Sequence, residues 1–324
     1  MTVAFITGVA GQDGTLLAEQ LVGEGVDVHG MVLPSDDRSL VADRLPPGVT
    51  LHVGDLADHD GVARLLRETE PDEVYNLGGI SSVAFSWQQP ALTGAVSGLG
   101  AVHVFEAAWA LQESSGRQVR VVQASSAEIF GQPERTPQDE RTAVRPISPY
   151  GAAKAYAHQM AAVFRSRGMH VATCILYNHE SPLRPETFVT RKITAAAARI
   201  GRDRSGVLTL GDMSVRRDWG WAPDYVDAMV RAVRHDVPDD FVIATGVTHS
   251  VEEFVATAMA AAGVDDWHRH VAVDESLVRP ADAGVQVGDA RRAHEVLGWS
   301  PTVSFDEIVA RMVRHDVEIA GGAA

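Results

Sequence analysis

Residues 3–14, VAFITGVAGQDG, run from five mostly apolar residues straight into glycines at 8, 11 and 14. The amphipathic stretch TLLAEQL follows at once. A short apolar run, a glycine-rich turn and a helix constitute the opening of a βαβ unit. The glycines allow a tight turn, and they let backbone amides at the helix N-terminus approach a pyrophosphate. This segment predicts dinucleotide binding and an α/β chain.

The pattern continues along the chain. VDVHGMVL (26–33), LHVGD (51–55), DEVYNLG (72–78), VRVVQASS (119–126) and VATCILY (171–177) are apolar runs separated by helical stretches such as DGVARLLRETE and GAVHVFEAAWALQ. This alternation predicts a doubly wound parallel Rossmann sheet, with ligands at the C-terminal strand ends. Beyond residue 178 the elements are shorter and mixed. They predict a smaller α/β substrate-binding domain, 179–212 plus 247–324. The dinucleotide-binding domain is then 1–178 plus about 213–246.

The formal net charge of −15 disfavours a nucleic-acid partner. No apolar run reaches the ~18 residues of a membrane-spanning helix, and MTVAFITG does not read as a signal peptide. A cytoplasmic chain is expected. Cys174 is the single cysteine; in the run VATCIL it reads as a buried thiol, and no metal site is suggested.

The chain has only two lysines, Lys154 and Lys192, against many arginines. Lys154 lies in SPYGAAKAY, four residues after Tyr150, so a helix there puts both on one face. An ammonium beside a phenol favours the phenolate and is expected to lower the tyrosine pKa. Upstream, QASSAEIFG ends a strand with Ser125–Ser126 and adds Glu128 two residues later. Ser126, Tyr150 and Lys154 suit hydride chemistry at a hydroxyl. A carboxylate at 128 adds a base for removing a proton next to a carbonyl.

These segments, together with EVYNLGGISSVAFSWQQP, YNHESPLRPETFVTRKIT, RRDWGWAPDYVDAM, RPADAG and LGWSPTVSFDEIV, resemble the GDP-mannose 4,6-dehydratases, extended short-chain dehydrogenases/reductases, over nearly the whole chain. The resemblance implies a redox-neutral hydro-lyase on a nucleotide sugar, with Ser126, Glu128, Tyr150 and Lys154 catalytic. The candidate cofactor-binding set is Gly8, Gly11, Gln12, Asp13, Gly14, Asp36, Arg38, Asp55, Leu56, Leu77, Gly78, Tyr150, Lys154, His179 and Arg184. Substrate contacts carried over by motif are Ser81, Glu128, Asn178, Glu180, Val189, Lys192, Arg217 and Arg279. A related enzyme of the superfamily acting on another nucleotide or nucleoside sugar, as an epimerase or a dehydratase of other regiochemistry, remains the alternative.

Three departures stand out. Leu33–Pro34 occupy the place where the family usually has two arginines for the NADP 2′-phosphate and for packing across subunits. With Asp36 and Asp37 favouring NAD and Arg38 favouring NADP, the choice between NAD and NADP leans to NAD, and a homodimer is expected. Gly78 and Gly79 replace common alanines and are expected to open space near the nicotinamide. Ser126 replaces the usual threonine but keeps the hydroxyl.

Overall fold

A computed structural model describes residues 1–277, 281 and 283–322. Seven strands form one parallel sheet. They are β1 (Val3–Thr7), β2 (Asp27–Val32), β3 (Thr50–Val53), β4 (Glu73–Asn76), β5 (Arg120–Ser126), β6 (His170–Leu176) and β10 (Asp240–Ile243), in the spatial order 3-2-1-4-5-6-10. The order reverses beside β1, so the glycine turn after β1 opens into the crevice expected to bind ligand.

Both faces of this sheet are covered, which explains the unbroken apolar runs. Successive residues point to opposite faces. Ala4 and Ile6 enter one core with helix α1 (Gln12–Gly23), whereas Phe5 enters the other. That second core is shared with Val62, Leu65 and Leu66 of α3 (His59–Thr69), beyond the short α2 (Arg38–Ala42). Short helices α4 (Val83–Gln88) and α5 (Pro90–Thr93) lead into a π-helical segment, Gly94–Leu99, and then α6 (Gly100–Ser115). The stretch Pro90–Ser115 is long and apolar enough to cross a membrane, but Val104, Phe105 and Ala108 on it are buried in the core. Helix α7 (Pro149–Ser166) completes this layer. Cys174 is fully buried, and burial pushes its thiol pKa far up, as befits a structural residue.

The smaller sheet holds β7 (Asn178–Glu180), β9 (Arg216–Trp221), β11 (Thr248–Ser250) and β13 (Val285–Gln286), with β9 pairing all three others. The segment 213–246, expected to return to the larger unit, therefore divides. Its strand β9 stays in the smaller sheet, and the helix after it, with β10, joins the larger one. A separate pair joins β8 (Leu208–Leu210) to β12 (Val271–Val273). Helices α8 (Val189–Asp203), α10 (Val251–Ala261) and α12 (Phe305–Gly322) bury Ile193, Phe254, Ile308 and Met312 against Trp219. Between them in sequence, α9 (Ala222–Arg234) and α11 (Arg291–Leu297) pack on the larger sheet's core.

Candidate active site

The turn after β1 is built by absent side chains. Gly8 has φ +70°, and a Cβ there would lie 2.9 Å from Gly78 Cα. A Cβ on Gly14 would lie 2.3 Å from the Gly8 carbonyl oxygen. Gly11 N donates to that same oxygen at 3.0 Å. The backbone thus folds back on itself where α1 begins, and a helix N-terminus of this kind suits an anion. Leu77 and Gly78 cross directly behind Gly8. The expected open space at Gly78 is absent. A Cβ there would sit 2.9 Å from Leu56 Cδ1 and 3.1 Å from Thr7 Oγ1, so the missing methyl is a packing requirement. At Gly79 a Cβ would lie 3.0 Å from Ser97 Oγ, which already accepts from Ile80 N.

Gln12 and Asp13 tie this turn to the strand after Tyr177. Gln12 Nε2 donates to the His179 carbonyl at 3.1 Å, and Ser181 Oγ donates to Gln12 Oε1 at 2.8 Å. His179 Nε2 lies 2.9 Å from Asp13 Oδ2, and its Nδ1 contacts the Tyr177 carbonyl at 2.7 Å. Burial works against the charged form of both partners. The attraction wins, holding Asp13 at about 2 and raising His179 above its ordinary value. Arg184 stacks 3.8 Å from the Phe188 ring centroid and pairs with Glu180 across 3.3 Å.

The second-strand loop is arranged by its acids. Asp36 Oδ2 accepts from Leu33 N, and Asp37 caps α2, whose first residue is Arg38. Asp55 Oδ1 accepts from Ala57 N, while Asp58 caps α3.

The candidate catalytic residues converge through one close approach. Ser126 ends β5, and a single 3-10 turn, Ala127–Ile129, carries Glu128. Ser126 Oγ accepts from Glu128 N at 3.2 Å. Helix α7 starts at Pro149, with Ser148 capping Gly151 N at 3.0 Å. A Cβ on Gly151 would lie 2.5 Å from the Glu128 carbonyl oxygen. The first turn of α7 therefore rests directly on the turn bearing Glu128. That contact places Tyr150 beside Ser126, whose hydroxyl favours the phenolate.

Tyr150 and Lys154 both lie on α7, four residues apart as expected, and both are buried. The expected lowering of the tyrosine pKa is not what the structure gives. Burial pushes the phenol up to about 12, and the charges of Glu128 and Asp13 add to the rise; Ser126 and Arg184 oppose it. Lys154 is itself pushed down to about 8 by burial, against the pull of Asp13. Its Nζ donates to the Ala124 carbonyl at 2.9 Å. Desolvation acts on both partners at once, so the lysine's charge does not prevail over burial.

The expected substrate contacts spread over the smaller sheet and α8. Asn178 lies on β7 in register with Trp219. Glu180 is buried, with its carboxylate held by Thr190 Oγ1 at 2.6 Å and by Arg184, so it fixes those neighbours rather than facing solvent. Val189 opens α8. Lys192 is half-buried and its Nζ donates to the Thr209 carbonyl at 2.7 Å. Arg217 is buried on β9 and donates to the carbonyls of Arg216 and Gly284. Ser81 is exposed just before α4. Arg279 lies outside the described residues. Sequence reasoning missed Gln286, whose Nε2 reaches Glu128 Oε1 at 3.4 Å. No local signal marks it, because the contact depends on pairing across 158 positions.

Comparison with known proteins agrees with the geometry. The GDP-mannose 4,6 dehydratase family model matches residues 5–312. GDP-mannose 4,6 dehydratase 2 of Arabidopsis thaliana is 41% identical, covering 98% of this chain and 87% of its own. GDP-mannose 4,6-dehydratase of Sinorhizobium fredii is 39% identical, covering 99% and 98%. Among solved structures, Thermus thermophilus UDP-glucose 4-epimerase in complex with NAD superposes with a TM-score of 0.83 at 26% identity, covering 97% of this chain and 99% of that one. A Rossmann sheet, a serine–tyrosine–lysine set with an added glutamate, and full-length similarity at this level place the chain in the GDP-mannose 4,6-dehydratase family.

Proposed function

We propose that this protein converts GDP-mannose to GDP-4-keto-6-deoxymannose by loss of water, the reaction named for its relatives. The observation that carries this reading is Glu128, one turn of chain from Ser126 and in contact with the first turn of α7 that bears Tyr150. An alcohol dehydrogenase or 4-epimerase has no use for a carboxylate there.

The crevice fits a nicotinamide dinucleotide. The Gly8–Gly14 turn is so tight that a Cβ at position 8 or 14 would collide with the backbone of Gly78 or of Gly8 and Val9, and the amides and helix dipole at this turn suit a pyrophosphate. Gly8, Gly11, Gln12 and Gly14 would hold the phosphates, Asp36, Arg38 and Asp55 the adenosine end, and Lys154 the nicotinamide ribose. NAD is preferred over NADP, because Leu33, Pro34, Asp36 and Asp37 put no arginine pair in the loop after β2. The bound nicotinamide supplies the hydride acceptor for C4 and the donor for C6, so the net reaction is redox-neutral.

The chain's own groups do the proton work. Ser126 holds the C4 oxygen and Tyr150 takes its proton. Phenolate formation is favoured by the neighbouring Ser126 hydroxyl and the Arg184 charge. Once C4 is a carbonyl, the C5 proton is acidic, and Glu128 removes it. Glu128 then gives that proton to the C6 hydroxyl, which leaves as water. Tyr150 returns the proton it holds to C5. Asn178, Lys192, Arg217 and Arg279 would bind the nucleotide diphosphate, with positive charge set against phosphate in an otherwise acidic protein. In this reading the larger sheet carries the cofactor and the smaller one the nucleotide sugar. A homodimer is proposed, because Trp87, Leu92, Leu99, Tyr156 and Val163 are exposed on helices that pack together.

The test is incubation with GDP-mannose in deuterated water, read by NMR and mass spectrometry. A 4-keto-6-deoxy product with deuterium at C5 is expected. Unchanged GDP-mannose at high enzyme concentration with NAD or NADP added refutes the substrate.

A further inference from the structure

Two elements near Glu128 in sequence, the end of β5 and the first turn of α7, set its backbone. A third group reaches its carboxylate from the other sheet. Gln286 is 2% exposed, and its Nε2 donates to Glu128 Oε1 at 3.4 Å. The contact is at the long end of hydrogen-bond distances, and such contacts commonly tighten when substrate is bound.

The strand carrying Gln286 is fixed on both sides. Toward the smaller sheet, Gln286 is in register with Arg217, and Arg217 Nη1 donates to the Gly284 carbonyl at 3.1 Å. Toward the base, Gln138 N donates to the Val287 carbonyl at 2.8 Å, and Asp289 N donates to the Gln138 carbonyl at 2.7 Å. Val287 N donates to Gln138 Oε1 at 3.2 Å. Gly288 then passes so close to Ala244 that a Cβ would lie 2.4 Å from the Ala244 Cβ. The strand has no room to slide, so the amide of Gln286 is delivered to Glu128 by the fold.

A primary amide suits this place. It donates to a carboxylate without carrying charge, so it orients the base without forming the ion pair that would blunt it. We propose that Gln286 is a positioning residue for Glu128. It ties Oε1 and so leaves Oε2 to take the C5 proton and pass it to the C6 hydroxyl. This rests on the reading of Glu128 as the base.

The test uses the full-length holoenzyme with Gln286→Met, an isostere without the donor, and Gln286→Glu, which sets a like charge against the base. Stopped-flow absorbance reads reduction of the bound nicotinamide by GDP-mannose, and NMR reads deuterium entry at C5. In Gln286→Met the C5 step slows about tenfold, equivalent to ~1.4 kcal/mol, with cofactor reduction and KM unchanged; Gln286→Glu is slower still. A C5 step at the wild-type rate, or an equal loss in cofactor reduction, overturns the proposal. A second arm needs no turnover. The Gln286 side-chain amide signals, assigned by their loss in Gln286→Met, shift in Glu128→Ala. Signals that stay put overturn the pairing whatever the substrate. If they shift while the wild type returns GDP-mannose unchanged, the pairing is upheld and the substrate reading alone falls.

Discussion

Gly151→Ala sets two effects of opposite sign against each other. Gly151 is the third residue of α7, and alanine is the better helix former by roughly 1 kcal/mol. On propensity alone the variant gains stability. The new Cβ, however, would lie 2.5 Å from the Glu128 carbonyl oxygen, with Pro146 Cβ at 3.1 Å and Ser148 Oγ at 3.2 Å. A carbon normally comes no closer to a carbonyl oxygen than about 3.3 Å, so α7 and the Glu128 turn must part by roughly 0.8 Å, the shortfall between that limit and the 2.5 Å contact. The obstacle is backbone, which cannot swing aside as a side chain can. Overpacking of this kind costs ~1–3 kcal/mol, of which the helix gain offsets part. Stability therefore changes little, but the separation falls between Tyr150 and Glu128. A misplacement of about 1 Å costs ~100-fold in rate, so kcat drops between ten- and a hundredfold while thermal unfolding moves by only about 2–4 °C. Gly23→Ala is the control: its Cβ meets nothing within 4 Å, so it keeps wild-type kcat. A Gly151→Ala enzyme with wild-type kcat would refute the claim that this contact places the two groups.

Three further outcomes follow from other contacts. The Asp13–His179 pair contributes stability within a window. Asp13 is held below its ordinary 3.8, at about 2, so its share is present above 3.8 and is lost as pH falls toward 2; His179 is raised above 6.5, so its share is full below 6.5 and fades as pH rises through its folded value. Asp13→Asn should therefore lower the unfolding temperature most between about pH 4 and 6.5, as read by calorimetry across pH; an equal loss at pH 2 and pH 5 contradicts the pairing. Lys154→Arg should lower kcat by ~100-fold, because a forked guanidinium cannot replace an ammonium that is 6% exposed and bonded to the Ala124 carbonyl; steady-state kinetics with GDP-mannose check this. The proposed homodimer is tested by Tyr156→Glu, at an exposed site on α7, which should sediment as a monomer where the wild type sediments as a dimer, with an unchanged far-ultraviolet circular dichroism spectrum; a wild type that sediments as a monomer refutes the proposal.

What the sequence disclosed is what lies within a few positions of its own partners. The strands of the larger sheet are legible because both faces are buried, so each reads as an apolar run. Gly8, Gly11 and Gly14 share one turn, and Tyr150 and Lys154 share one helix face. Glu128 is legible because it follows Ser126 by two residues. The Asp13–His179 bond spans 166 positions and the Gln286–Glu128 contact spans 158, and neither has a local pattern. The strand bearing Gln286 is two residues long, set by pairing with β9 rather than by propensity. The raised phenol pKa was hidden for a related reason. The Tyr150–Lys154 spacing reports proximity of charge, whereas burial depends on everything packed around α7.

Gly78 shows most directly how packing decides what composition leaves open. From sequence, a glycine in place of an alanine promises room beside the nicotinamide. In the fold, Gly8 needs its positive φ to turn the chain, and that turn brings it so close to Gly78 that a Cβ on Gly8 would lie 2.9 Å from Gly78 Cα. From the other side Leu56 Cδ1 fills the remaining gap, 2.9 Å from a Cβ at 78. Leu56 is in turn held, because its carbonyl contacts His103 Nδ1 at 2.8 Å and its side chain is 3% exposed. The missing methyl at 78 is therefore space already spent on bringing β1, β4 and the Leu56 loop together beneath the cofactor crevice. A chain with alanine at 78 would have to carry a smaller or displaced side chain at 56. The two positions are one packing decision made at two places in the sequence.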